Sequence, residues 1–326
     1  MKVLIIKMGY SEALHPGSEF DETASLGEVL RTTVILHLFK NDQVTWLIDW
    51  NQSPIKNPRP LLENNPLIHR ILPFNPISIL QLQSEFFDVV INLERVPGIC
   101  ALAESINAES KYGFRFDKIL GDVRPDFHYT LEPYMSIDTK REMKKPWQEI
   151  LFNLLGKSWN KEEYSLGYQP GRLKTIYDIG FNYQVGTSWP LKAWSIKNFH
   201  QLENKLIQKD FHISWQQGMD NLQDYIDWIH SCKMIITNDS LGLHLAIALK
   251  KQIIALFGPS SPDEVYLYEL GTKILPAGNF SCMPCWNQKC EKKKSCMEEI
   301  TVDQVYKEVI RLLPDAQRDY QRNNNP

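Results

Sequence analysis

A chain of 326 residues is long enough for two domains of ordinary size, each able to bury its own core. With 43% hydrophobic and 23% charged residues, and 36 Lys and Arg against 39 Asp and Glu, the net charge of -3 gives no electrostatic basis for general nucleic-acid binding. No apolar run approaches the roughly 18 residues that a membrane-spanning helix needs, so no transmembrane segment is expected, although peripheral membrane contact stays open.

The opening residues Met1-Lys2-Val3-Leu4-Ile5-Ile6-Lys7 are too short for the apolar region of a signal peptide and read as a buried strand over Val3 to Ile6. The segment Gly9 to Thr23 that follows is longer than the about 2–6 residues usual between strand and helix, which predicts a functional loop. An amphipathic stretch from Leu26 to Phe39, with Leu26, Val29, Leu30, Thr33, Val34 and Leu38 on one face, predicts the first crossover helix. Strands are expected at Val44 to Ile48 and at Val89 to Leu93. Turn residues then collect at Pro146, Gly156, Gly167, Pro170 and Gly171, which sets a domain of residues 1–165 apart from a second of residues 166–326.

The second half restarts with a strand at Ile176 to Val185, a helix from Ser195 to Gln208 and a strand at His212 to Trp215. A helix at Leu222 to His230, a strand at Met234 to Thr237, a helix at Leu241 to Leu249 and a strand at Ile253 to Phe257 complete the series. This alternation predicts an α/β protein of two Rossmann-like, doubly wound domains facing a central cleft, where ligands of open α/β sheets bind.

The sharpest local signal is Ile235-Ile236-Thr237-Asn238-Asp239-Ser240-Leu241-Gly242-Leu243-His244-Leu245-Ala246, a buried strand that breaks into a polar turn and starts a helix. The first amides of a helix lack intrahelical acceptors and sit at the positive end of its dipole, so a phosphate at Asp239, Ser240, Leu241 and Gly242 is favoured, with His244 in reach. The plainer reading, that Asp239 and Ser240 only cap the helix, leaves the histidine without a role. A second polar turn, Gly186-Thr187-Ser188-Trp189-Pro190-Leu191-Lys192-Ala193-Trp194, offers the Thr187 and Ser188 hydroxyls and the Lys192 ammonium to a diphosphate. Asp220, after the Trp215 strand, is a candidate for ribose hydroxyls.

Of six cysteines, four crowd into residues 282–296, as Cys282-Met283-Pro284-Cys285, Cys290 and Cys296, interleaved with lysines. Six are too few for a secreted disulfide framework, so reduced thiols and a cytoplasmic location are expected. Four thiolates at this spacing suit a closed, structural site for zinc or iron with no open coordination position; free thiols or two disulfides are the alternatives.

Three stretches together resemble glycosyltransferase family 9, the heptosyltransferases of lipopolysaccharide core synthesis and their relatives. They are Gly27-Glu28-Val29, the loop bearing Lys192 and Trp194, and Asp239 to Ala246 running on into Ala255-Leu256-Phe257-Gly258-Pro259-Ser260. The resemblance implies a GT-B architecture with an N-terminal acceptor domain and a C-terminal nucleotide-sugar domain. It also implies inverting transfer without a catalytic metal from a nucleotide-diphospho-sugar, with ADP-heptose favoured, to a glycan, lipid-linked or protein acceptor. The family's acid in the G-D motif is its proposed general base; Glu28 holds that place here, with Asp21 and Glu22 behind it, and Lys192 supplies charge to the departing diphosphate. Some members carry a comparable cysteine cluster with bound iron. Two rivals follow from the Asp-to-Glu change and the fold: a non-catalytic nucleotide-sugar-binding protein, and a GT-B-like sugar-nucleotide hydrolase or epimerase.

Overall fold

Parallel strands covered by helices on both faces read as unbroken apolar runs, and the two halves of this chain are built on such runs. The structure, a computed structural model, describes residues 1–10, 25–50, 53–171, 175–187 and 189–314. It divides into two compact units, Met1–Gln169 and Pro170–Pro326, so the first unit extends to residue 169 where the turn residues suggested 165.

The first unit holds five parallel strands, β1 (Lys2–Ile6), β2 (Gln43–Ile48), β3 (Arg70–Pro73), β4 (Phe86–Asn92) and β5 (Asn107–Gly113), in the spatial order β3-β2-β1-β4-β5. A short antiparallel hairpin, β6 (Arg115–Asp117) and β7 (Asp122–Arg124), follows. Its helices are α1 (Leu26–Thr32), α2 (Arg59–Leu62), α3 (Pro76–Ser84), α4 (Pro97–Ser105), α5 (Ile137–Arg141) and α6 (Trp147–Leu154). Leu4, Ile6, Leu47, Val90 and Ile99 pack into one core with no more than 2% of any of them exposed. Each such side chain stabilises the fold by about 1.5–3 kcal/mol relative to exposure.

The expected helix from Leu26 to Phe39 is α only as far as Thr32; Thr33–Phe39 continues as a 3-10 helix. The run Thr32-Thr33-Val34-Ile35 is β-branched, which crowds the preceding turn, and the Thr32 and Thr33 hydroxyls donate to the carbonyls of Glu28 and Leu30 at 2.8 and 2.6 Å. Strands β3 and β5 went unforeseen because they are the sheet's edges, with polar or short sequences that break the apolar pattern.

The second unit repeats the plan with β8 (Tyr177–Asn182), β9 (Ile213–Trp215), β10 (Cys232–Asn238), β11 (Gln252–Leu256) and β12 (Gly271–Ile274), all parallel, in the order β12-β11-β10-β8-β9. Helices α7 (Ile196–Ile207), α8 (Leu222–Ser231), α9 (Leu241–Ala248) and α10 (Val302–Leu312) cover it. Its core joins Ile179, Phe181, Phe199, Ile236, Ile254 and Val309, with Trp194 standing edge-on to Phe199 at 4.8 Å. Trp194 is therefore a packing residue. Strand order reverses between β1 and β4 in the first unit and between β8 and β10 in the second, and at such switch points open α/β sheets leave a crevice beyond the strands' carboxyl ends.

Candidate functional site

Beyond the switch point of the second unit, the end of β10 delivers Asn238 and Asp239 directly to the start of α9. The Lys192 ammonium donates to Asp239 Oδ2 at 2.7 Å, with 17% and 13% of the two side chains exposed, so the lysine and the helix start named from sequence do meet. Burial opposes a charge on Asp239, yet the attraction and hydrogen bond of Lys192, with Ser260 and His244 adding to them, hold its carboxyl down at about 2. His244 is itself buried on α9.

Ser240 is the N-cap of α9 but does not cap it with its side chain: its Oγ accepts from Asn182 Nδ2 at 2.8 Å instead. The opening amides of the helix are thus left without that side-chain acceptor, which keeps their positive end available to an anion. Asn182 also donates to Thr237 Oγ1 at 2.7 Å and accepts from the Tyr225 hydroxyl. β8 ends at Asn182, three residues short of the expected Val185.

Gly242 also has a packing reason that lies outside the strand-turn-helix itself. A Cβ there would stand 2.4 Å from Asn182 Nδ2 and 2.5 Å from the Tyr225 hydroxyl, so the glycine lets α9 seat against the buried polar network. Gly242→Ala is expected to destabilise the second unit by about 1–3 kcal/mol, the usual cost of overpacking, in a thermal melt. An unchanged midpoint would show that the network yields.

Thr187 and Asp220 lie in exposed turns, and neither makes a hydrogen bond to the Lys192–Asp239 pair among the described residues. Ser188, Asp21 and Glu22 lie outside the described residues. The Arg115 and Arg124 side chains are engaged locally with Glu104 and Asp117.

In the first unit, Lys7 directly follows β1 at its switch point, and its side chain is wholly buried. The Lys7 ammonium donates to Glu28 Oε2 at 2.9 Å and to the Leu93 carbonyl at 3.2 Å, and lies 3.6 Å from Glu94 Oε1. Glu28 stands in the first turn of α1, where a carboxylate complements the dipole, but its ion pair with Lys7 goes beyond that use. The roles of Lys7, Glu94, Asn182 and Tyr225 escaped the sequence reading. A charge closing an apolar strand was the available sign for Lys7 and, after β4, for Glu94.

The four clustered cysteines are free thiols, with Cys285 and Cys296 buried, Cys282 half-buried and Cys290 exposed. The Cys285 and Trp286 amides both donate to the Pro259 carbonyl at 2.9 Å, tying this loop to the segment after β11. Burial first, and then Cys285, Cys282 and Cys290, push the Cys296 thiol up to about 11. Even so, no group of three or more metal-ligating side chains is assembled among the described residues, so the expected four-cysteine site is not formed as a ligand cage. The stretch carrying Cys290 is lysine-rich and exposed, with no apolar anchor to draw its thiol inward.

Residues 217–296 match the family model described as glycosyltransferase family 9 (heptosyltransferase), a stretch that contains Asp239 through His244 and all four clustered cysteines. Lipopolysaccharide heptosyltransferase 2 of Escherichia coli (strain K12) is 48% identical over 154 residues, 38% of this chain and 42% of that protein. Lipooligosaccharide heptosyltransferase 2 of Campylobacter jejuni is 29% identical over 86 residues, 26% of this chain and 27% of that protein. The matched stretches thus span less than half of these relatives.

Likeness in three dimensions runs much further. The E. coli ADP-heptose lps heptosyltransferase II superposes with a TM-score of 0.62 at 17% identity over 97% of this chain and 99% of that one. A glycosyl transferase family 9 structure from Veillonella parvula gives 0.66 at 19% identity over 97% and 98%. The dodecameric iron-containing heptosyltransferase TibC in complex with ADP-D-beta-D-heptose gives 0.58 at 13% identity over 97% and 77%.

Two parallel α/β units that superpose end to end on these structures define a protein of the GT-B fold. Over residues 217–296 the chain is similar to glycosyltransferase family 9, and its sequence relatives there are heptosyltransferases. Among the described residues no helix is long and apolar enough to cross a membrane.

Proposed function

We propose that this chain is an inverting glycosyltransferase that moves heptose from ADP-heptose to a hydroxyl of a cell-surface glycan, lipopolysaccharide or protein. The observation that carries the reading is the Lys192–Asp239 pair at the start of α9, inside or beside the segment shared with the family. A departing nucleoside diphosphate needs positive charge; Lys192 and the α9 amides supply it, and Asp239 holds the ammonium in place beforehand. His244, Ser240, Leu241 and Gly242 line the same helix start, and Thr187, Ser188 and Asp220 are proposed to reach the rest of the donor.

An attacking hydroxyl needs a carboxylate to take its proton, and we assign that role to Glu28 in the acceptor-binding first unit. Its carboxylate is held by an ion pair with Lys7 at 2.9 Å. The six free cysteines and a soluble nucleotide-sugar donor support a cytoplasmic enzyme, with peripheral membrane contact when the acceptor is lipid-linked.

Donor turnover tests the assignment. Slow hydrolysis of ADP-heptose alone and fast consumption with acceptor are expected; fast hydrolysis without acceptor would make the protein a hydrolase, and binding without turnover a nucleotide-sugar-binding protein. ADP-heptose at about 100 times its dissociation constant should stabilise the fold by about 2.7 kcal/mol, which a thermal shift reads directly.

We also propose a structural zinc or iron ion on Cys282, Cys285, Cys290 and Cys296. The donor set fits in chemistry, being four soft thiols on one loop of which three bear electrostatically on Cys296. The ion would have to gather them. When bound it would cross-link residues 282–296 to one another and take no part in transfer, since four thiolates leave no open position. Elemental analysis of protein purified without added metal is expected to find close to one zinc or iron per chain; a metal-free protein with the same melting curve would remove this assignment.

A further inference from the structure

Glu94 is a carboxyl beside Lys7 in the first unit that the proposed reaction does not use. It follows β4 and is fully buried. Its Oε1 accepts from the amides of Met8 at 2.6 Å and Gly9 at 3.0 Å, and its Oε2 has no hydrogen-bond partner among the described residues. Leaving a buried carboxyl oxygen without a donor is costly, so a fold keeps one where the charge serves something else.

That service is visible in the contacts of Lys7. One ammonium lies 2.9 Å from Glu28 and 3.6 Å from Glu94, so two carboxyl groups compete for a single buried cation. We propose that Glu94 is a positioning residue for Glu28: through the Lys7 they share, the charge on Glu94 sets how tightly Glu28 holds a proton, an inference that rests on reading Glu28 as the general base. With Glu94 neutral, Glu28 is the carboxylate of this pair that Lys7 stabilises, which weakens it as a base. With Glu94 ionised, Lys7 is shared, a second negative charge stands nearby, and Glu28 becomes more basic.

The groups facing this cluster are Lys7 at the end of β1, Glu28 on α1, Tyr10 with its partner Asp49, and Cys100, Glu104 and Arg95 on or beside α4. Burial raises the Tyr10 hydroxyl and takes the Cys100 thiol up to about 12, so neither changes charge near neutrality. Glu94 does: burial raises it to about 7, against the pull of Lys7, with the charge of Glu28 pushing the same way as burial and the Met8 and Gly9 amides opposing.

The test compares the wild-type chain with Glu94→Gln, a near-isosteric change that can still accept from the Met8 and Gly9 amides. Carbon NMR of glutamate-labelled protein, with the Glu28 signal assigned by Glu28→Gln, follows the carboxyl from about pH 4 to about pH 9. In the wild type the Glu28 signal should move in two steps, the second together with Glu94; in Glu94→Gln the second step should vanish. Turnover should show the same pattern in kcat, rising about threefold to tenfold through neutrality in the wild type and staying flat in Glu94→Gln, with KM for the donor unchanged in both.

Identical Glu28 titrations in the two proteins, or a kcat limb that survives in Glu94→Gln, would overturn the proposal. If the wild type turns over no nucleotide sugar, the functional reading fails, and the NMR comparison still decides whether Glu94 governs Glu28. Should Glu94→Gln not fold, the wild-type signal suffices, because a single Glu28 step excludes the coupling.

Discussion

Replacing Glu28 with Gln is expected to lower kcat by about 10²–10⁴-fold, the usual worth of general-base help, while donor affinity changes by no more than about twofold. The separation follows from the location of the residue. Glu28 belongs to the first unit, whereas the Lys192–Asp239 pair and the start of α9 belong to the second, so removing the base leaves the donor's charge partners intact. Glutamine retains a carbonyl oxygen to accept from Lys7, and Glu94 remains 3.6 Å from that ammonium, so the buried lysine is not stranded and the fold should survive. Steady-state kinetics with isothermal titration of the donor checks both halves. Near-full turnover in Glu28→Gln would move the base elsewhere, first to Asp21 or Glu22.

Lys192→Ala should cost about 10²–10³-fold in kcat, the range found when one preorganised donor to a developing negative charge is lost. It should also have a stability signature, because it strips Asp239 of its counter-ion. In the wild type the folded-state carboxyl lies at about 2 against an ordinary 3.8, so its stabilising contribution is present above the ordinary value and is lost as pH falls through 2. Without Lys192, burial acts on Asp239 largely unopposed and raises the carboxyl. The variant should then be less stable than the wild type at neutral pH and recover relative to it on acidification. Adding Asp239→Asn should restore much of the neutral-pH stability but none of the turnover, which separates the structural from the chemical role of the lysine. A Lys192→Ala protein with wild-type kcat would remove the lysine from the leaving-group assignment.

The part of the molecule legible from sequence is the part governed by local periodicity. Strands β1, β2, β4, β8, β10 and β11 and helices α7 through α9 fall close to their apolar runs, because central strands of a parallel sheet are buried on both faces and display that burial as unbroken hydrophobicity; β9 was legible although it is an edge strand. The strand-turn-helix at Asp239 was visible for a related reason: an apolar strand, a polar break and a helix start are consecutive in the chain. Edge strands β3 and β5 lack the double burial and so lack the pattern.

Lys7, Glu94 and Asn182 were invisible individually for another reason. Each reads as one polar residue at a strand end, and its meaning lies in what stands beside it in space: Glu28 beside Lys7, the Met8 and Gly9 amides beside Glu94, Ser240 and Tyr225 beside Asn182. The Gly242 outcome makes the same point, since the side chains that fill the space over that glycine arrive from β8 and α8.

The amino-acid sequence alone thus determined the α/β class, the two-unit plan, the helix start with Asp239 and Ser240, and Lys192 and Glu28 as candidate charges. Only the tertiary structure decided that Lys192 pairs with Asp239, that Glu28 shares a buried lysine with Glu94, and that the four cysteines do not form a ligand cage among the described residues. The division has a physical cause. Burial periodicity is written along the chain, whereas the strength of a charge depends on desolvation and on neighbours that strand order brings together from distant positions.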